Sequence, residues 1–289
     1  MRKAAWHEGK EPNNMKKIYK VILTAFLSLL SLLFLFPIVI VFLNSFKGKF
    51  YISSAPFSLP SRETFVGLIN YIEGLEKTGL NRAFFWSLFI TISSVTVIVL
   101  LTSMTAWYLT RVKSKFTSGM YYLFVFSMIV PFQMVMFTMT KIADMLHLTN
   151  PIGIILIYVG FGSGLSVFTF CGFIKSVPIA MEEAAMIDGC NPIQTFFRIV
   201  FPILKPTSIT VAILNTMWIW NDYLLPSLVL GTDFQTIPIA IQSLKGGHGS
   251  IDMGVMMAML VLAILPIIFF YLLCQNYIIK GVAAGAVKG

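Results

Sequence analysis

Apolar residues along this 289-residue chain gather into six long runs separated by short polar stretches. The runs cover residues 21–43, 83–109, 120–140, 151–174, 207–230 and 254–279. Each reaches the ~20 residues that a tilted helix needs to cross ~30 Å of hydrocarbon. Backbone polar groups in lipid must be satisfied within their own segment, so helices are the form these runs can take. The pattern predicts an all-α integral membrane protein with six transmembrane helices and divides the chain into a tail (1–20), a six-span unit (21–279) and a second tail (280–289). The first run is too long for a signal-peptide core, and Asn44, Ser45 and Phe46 follow it in place of a small-residue cleavage site, so it too is expected to span. Pro131, Pro226 and Pro266 interrupt the third, fifth and sixth runs, and Gly160, Gly162 and Gly164 punctuate the fourth. Small residues let helices approach closely, and the breakers read as packing kinks or as hinges.

Composition agrees: 57% of residues are apolar and 11% charged, against about a quarter charged in soluble domains. The formal charge of +9 belongs to loops rather than to a nucleic-acid surface. With six alternating helices, 14 Lys and Arg residues fall on the side that carries both termini and 7 on the other. Both termini are therefore expected in the cytoplasm. The three cysteines are far apart, and two lie in predicted spans, so no disulfide framework is expected. Histidines 7, 147 and 248 show no ligand spacing, and no metal site is expected. A G-x-x-x-x-G-K-[ST] loop is missing, so the chain is not expected to hold nucleotide or to be an enzyme. "GGHGS" (246–250) reads as an outer turn. The serines of "FGSGLSVF" have no intramembrane histidine to activate them.

One stretch, "EEAAMIDGCNPIQTFFRIVFPILKP" (182–206), breaks the apolar rhythm on the cytoplasmic side, within a loop spanning 176–206. It reads as two short helices about a glycine elbow. Pro178 suits a first helical position, and Glu182 and Glu183 favour the helix start. Gly189 is a left-handed terminator. Asn191, Pro192 and Gln194 form a cap, a first position and a capping-box partner. Pro202 and Pro206 are expected to mark the end of the second helix. Its apolar face and the small Ala184 and Ala185 make an interaction platform more plausible than a solvated loop.

A second stretch, "WNDYLLP", places Asp222 midway along the fifth run. An intramembrane carboxylate is a functional candidate by default. Trp218, Trp220, Asn221 and Tyr223 surround it, and aromatic faces with polar acceptors suit hydroxyl-rich sugars. As a continuous helix, the run would put Trp218, Asp222 and Leu225 on one face. Asp222 reads equally as a substrate-path residue and as a structural acceptor within the bundle.

The 182–206 stretch resembles the EAA loop of permease subunits in ATP-binding-cassette importers: Glu-Ala-Ala, three residues, Gly, then Ile-x-Leu-Pro about nine residues on. Glu183, Ala184, Ala185 and Gly189 match in register, and Ile199, Val200, Phe201 and Pro202 match the close, with Phe201 where Leu is usual. "WIWNDYLLPSLVL" and "YIIKGVAAGAVKG" resemble the shorter permease of the maltose-type carbohydrate pair. The resemblance implies half of a heterodimeric pore. Its partners would be a second homologous permease, two ATPase subunits that bind ATP and Mg, an extracytoplasmic solute-binding protein and a sugar. It implies that Glu183, Ala184, Ala185, Asp188, Gly189 and Pro202 lie at the ATPase contact. It also implies that the tail with Gly281, Gly285, Lys288 and Gly289 enters the ATPase interface, as a thin strand of small residues. The alternatives are a permease for a polyol or glycerol-phosphate-type solute, and a secondary transporter coupling protons through Asp222.

Overall fold

A computed structural model describes residues 13–244 and 252–286, with side chains over 17–244 and 252–277. The described chain is helical with one isolated bridge, Lys47 to Phe65. In order the helices are α1 (Asn13–Asn44), α2 (Lys49–Ser54), α3 (Ile69–Thr78), α4 (Leu80–Arg111), α5 (Lys115–Ser127), α6 (Phe132–Met145), α7 (Pro151–Ile174) and α8 (Ala180–Ile187). They continue with α9 (Pro192–Ile203), α10 (Lys205–Asn221), α11 (Leu224–Val229), α12 (Ile237–Ser243) and α13 (Met253–Ala286).

Among the described residues, four helices are long and apolar enough to cross a membrane: α1 from Lys17, α4, α7, and α13 to Tyr277. Two bent pairs bring the number to six if each counts as one span. The third expected span is such a pair, α5 and α6 meeting at 106°. Pro131 caps α6 in an extended conformation, which its fixed φ and missing N–H allow at a helix start. The fifth expected span is also reshaped. α9 is long enough to join α10 at a bend of 77° around Leu204, and α10 stops at Asn221, short of the expected 230. Pro226 therefore lies in the short helix α11 rather than kinking a span. Pro266 sits within a continuous α13, as Pro37 does within α1.

Side chains of α1 are exposed along its apolar stretch, as suits a helix whose neighbour is lipid. The core lies where α4 runs along α7, joined by α10, around Ile98, Tyr158, Phe170, Ile174, Phe196 and Leu225. Glycines permit this approach. A methyl group at Gly162 would stand 2.7 Å from Ile98 Cδ1 and 2.9 Å from Asn215 Oδ1. One at Gly164 would stand 2.7 Å from Ser127 Oγ and 2.8 Å from Phe124 O. Gly160 has open space. Gly162 and Gly164 are thus packing positions, and Gly160 is not.

A second cluster seats Leu80, Trp220, Ala240, Val255 and Met259 beside the helices of the loops. There Lys47 is fully buried and donates to Ala55 O and Ser58 Oγ, both at 3.1 Å. Burial disfavours its charged form and lowers its pKa.

Candidate functional site

The 182–206 stretch folds as the elbow its sequence predicts, with two changes. α8 ends on Gly189 at φ 89°. The Gly189 N–H donates to Met186 O at 3.1 Å and the Cys190 N–H to Ala185 O at 3.0 Å, the paired bonds of a Schellman ending. Asn191 and Gln194 then exchange a capping box, 2.9 Å and 3.0 Å. The first change is that Pro178 precedes α8 instead of opening it. The second lies just ahead of Pro202, which stands one residue before the end of α9, where the sequence puts the helix end. It is a π-helical turn, Phe196–Val200, across which the Phe201 N–H reaches Phe196 O. Proline cannot donate and crowds the carbonyl four residues back, and a widened turn is a recognised way to accommodate such a misfit.

The elbow has two faces. Glu183, Ala184, Met186, Ile187, Asp188, Gly189 and Ile193 are exposed, Ile187 at 85%. Glu182 and Ala185, three apart, point inward with Thr195 and Phe196. Of the residues expected at a partner contact, Glu183, Ala184, Asp188, Gly189 and Pro202 are therefore accessible, whereas Ala185 supports the elbow from within. Pro202 borders a depression of about 390 Å³ with Phe201, Lys205 and Ser208.

Sequence reasoning missed Glu182. Its Oε1 accepts from Arg111 Nε and Nη2 at 2.9 and 2.7 Å, and its Oε2 accepts from Trp107 Nε1 at 2.8 Å. The available signal was the i, i+3 spacing with Ala185, which turns both inward once Glu183 faces out.

The break after α10 corrects the reading of Asp222. The residue is extended, φ −73° and ψ 122°, so Trp218, Asp222 and Leu225 do not share a helical face. The carboxylate accepts from Tyr158 Oη at 3.0 Å and from the Leu224 and Leu225 N–H groups at 3.0 and 3.4 Å. It caps α11 and ties the break to α7. Trp218 meets Tyr158 edge to face, with centroids 5.4 Å apart. Trp220 is buried against Phe84. Asn221 bonds back to Met217 O at 2.7 Å, and Tyr223 is exposed.

A cleft of about 300 Å³ opens between the α5–α6 break, α7 and α10. Its lining includes Ser127, Phe132, Phe161, Asn215 and Trp218. Of the five expected path residues it contains Trp218 alone. Asn215 is buried and donates to Ser166 Oγ at 3.2 Å and Val211 O at 2.9 Å. At the other end, α13 continues to Ala286, so Gly281 and Gly285 stand on a helix rather than on the expected thin strand. Lys288, Gly289 and the 246–250 turn lie outside the described residues.

Broken spans around a cleft and an elbow projecting from the bundle define a membrane-embedded transport subunit. Residues 98–284 match the model of the binding-protein-dependent transport system inner membrane component family, and the chain belongs to that family. It is similar to a probable starch degradation products transport system permease protein, AmyC, of Thermoanaerobacterium thermosulfurigenes. The two are 39% identical over 277 residues, 95% of this chain and 100% of that one. It is also 35% identical to the multiple sugar-binding transport system permease protein MsmG of Streptococcus mutans, over 89% of this chain and 93% of that one. The fold matches a chain of a bacterial ABC transporter involved in the import of the acidic polysaccharide alginate. That match has a TM-score of 0.78 at 20% identity and covers 92% of this chain and 99% of that one.

Proposed function

We propose that this chain is the permease subunit of an ATP-binding-cassette importer for oligosaccharides, forming half of a pore with a second, homologous permease. Two cytoplasmic ATPase subunits bind ATP and Mg and supply the energy. An extracytoplasmic binding protein delivers the sugar. Both chain termini lie in the cytoplasm, on the side richer in Lys and Arg. The observation that carries this reading is the elbow: Glu183, Ala184, Asp188 and Gly189 are exposed beside apolar Ile187 and Ile193 on a rigid, doubly capped turn. Such a surface suits a cleft on a partner, with an apolar centre and a carboxylate to fix its orientation. The sugar moves past the cleft, where Trp218 and Phe132 offer ring faces and Asn215 and Ser127 offer polar contacts. The end of α13, with Gly281 and Gly285, and the tail that follows it, with Lys288 and Gly289, reach the ATPase interface.

The test replaces Glu183 by lysine and, separately, Gly189 by proline. Lysine reverses the charge offered to the ATPases. Proline cannot adopt φ 89°. Each variant inserts in the membrane, loses the ATPase subunits on purification and takes up no oligosaccharide. Normal ATPase association with normal uptake in either variant overturns the docking role.

A further inference from the structure

Glu182 sits beside the docking carboxylate Glu183 yet faces the opposite way, with 2% of its surface exposed. Its partners come from an element 71 residues away in the chain. Arg111, the last residue of α4, places two guanidinium nitrogens on Oε1. The same Arg111 Nη2 donates to Val177 O at 3.0 Å, in the connection between α7 and α8. Trp107, one turn earlier on α4, donates to Oε2 and lays its ring against Phe196 of α9, with centroids 5.5 Å apart. Through Arg111 and Trp107, this carboxylate ties the end of α4 to the α7–α8 connection and to both arms of the elbow. Cys171 Sγ adds a contact between α7 and Ala106 O, 3.7 Å, one position before Trp107.

Greasy contacts alone would let α8 slide or roll on the end of α4. A buried ion pair is a weak source of stability compared with apolar packing of equal volume. It does impose direction, because a guanidinium fork and an indole N–H meet the two oxygens of one carboxylate in a single arrangement. We infer that Glu182 is a positioning residue that locks the docking elbow to α4. Displacement of the elbow by the ATPases is thereby delivered to the α4–α7 pair and on to the cleft. This inference rests on the docking reading above.

Two variants and one distance test it in the assembled transporter. Glu182→Gln keeps the size and an acceptor but withdraws the charge from Arg111. The double variant Glu182→Leu, Arg111→Met replaces the pair by apolar side chains and leaves no buried charge. Both retain bound ATPase subunits and basal ATP hydrolysis. In both, ATP hydrolysis stimulated by loaded binding protein, and uptake, fall roughly tenfold, within the 5–150-fold usual for a coupling between sites. Restoration of wild-type uptake by the apolar pair would mean that Glu182 only fills and stabilises the junction, and would overturn the inference. Wild-type coupling in Glu182→Gln would do the same. The distance measurement leaves the ion pair intact. Spin labels at the exposed positions Lys113→Cys and Met181→Cys, with Cys190→Ser and Cys274→Ser, report on the α4–α8 junction in the resting and nucleotide-trapped states. The inference expects one unchanged separation in both states, and a separation that moves with the cycle overturns it. Failure of docking itself is separately visible, as continued ATPase association in Glu183→Lys.

Discussion

Replacing Asp222 by alanine removes three hydrogen bonds at once from the break between α10 and α11. Two are cap bonds, from Leu224 and Leu225 to Oδ1, and losing a cap costs about 0.5–2 kcal/mol. The third, from Tyr158 Oη at 3.0 Å, is a bond to a charged acceptor, about 1.5–3 kcal/mol. All three share one side chain, so they do not simply add, and a total near 3 kcal/mol is the expected loss. Asparagine behaves differently. Its Oδ1 accepts from both N–H groups, its amide nitrogen takes the place of Oδ2, and the Tyr158 hydroxyl turns to accept from it. The expected loss is then about 1 kcal/mol, the exchange of a charged for a neutral bond.

Unfolding of the purified transporter by SDS in mixed micelles, read beside oligosaccharide uptake by cells, distinguishes the two variants. Alanine destabilises clearly and lowers uptake, while asparagine stays close to the native protein. Tyr158→Phe combined with Asp222→Ala costs less than the two single losses together, because both remove the same bond. Equal, severe losses with alanine and asparagine, and none with Tyr158→Phe, would refute the capping argument. That outcome would mean the charge itself is required, as a proton-coupled carrier would require it.

Packing at α7 gives another contrast. Gly164→Val drives a methyl group against Ser127 Oγ and the Phe124 carbonyl and is expected to cost about 1–3 kcal/mol, seen as lower membrane abundance and uptake, whereas Gly160→Ala, with open space, changes neither. At the C-terminus, removal of residues 281–289 deletes no membrane-crossing stretch and leaves insertion intact, but alters ATPase turnover and its coupling to uptake. Gly285→Trp reproduces that effect because a crevice that admits glycine has no room for an indole, and matching turnover and uptake in Gly285→Trp and the native protein would exclude an inserted tail.

Hydrophobic runs made most of this fold legible, because in lipid length and composition nearly determine the element. The fourth run coincides with α7 at both ends, helped by Asn150, which caps it, and Pro151 at its first turn. Direction was not legible. Pro131 marked the third run as interrupted, but hydropathy carries no angle, and the 106° bend depends on what α7 and α11 offer in space. The elbow was legible because its signals are local: a glycine at positive φ, and an asparagine three residues before a glutamine. Asp222 misled because period-3.6 counting assumes that the helix continues. Glu182 stayed silent because Arg111 and Trp107 reach it only through the tertiary fold.

The breaks and the ion pair belong to one mechanical arrangement. Irregular backbone survives within a membrane where protein or a cavity satisfies it, and both breaks meet that condition through α7. At the α5–α6 break, Ser127 lines the cleft beside Gly162 and Phe161. At the α10–α11 break, Tyr158 holds the capping carboxylate. α7 is in turn packed along α4 at glycine-permitted distances, and α4 ends in the residues that grip the elbow. Close-packed interiors deform little and transmit displacement. A shift imposed at the elbow therefore has few places to be absorbed before it reaches the two discontinuities, one of them held by the Asp222 cap and its bond to Tyr158. Ligands change the balance of two states only through unequal contacts with them. In the proposed importer, the ATPases supply that inequality at Glu183 and the sugar supplies it at the cleft. The α4–α7 pair makes the two inequalities act on one equilibrium.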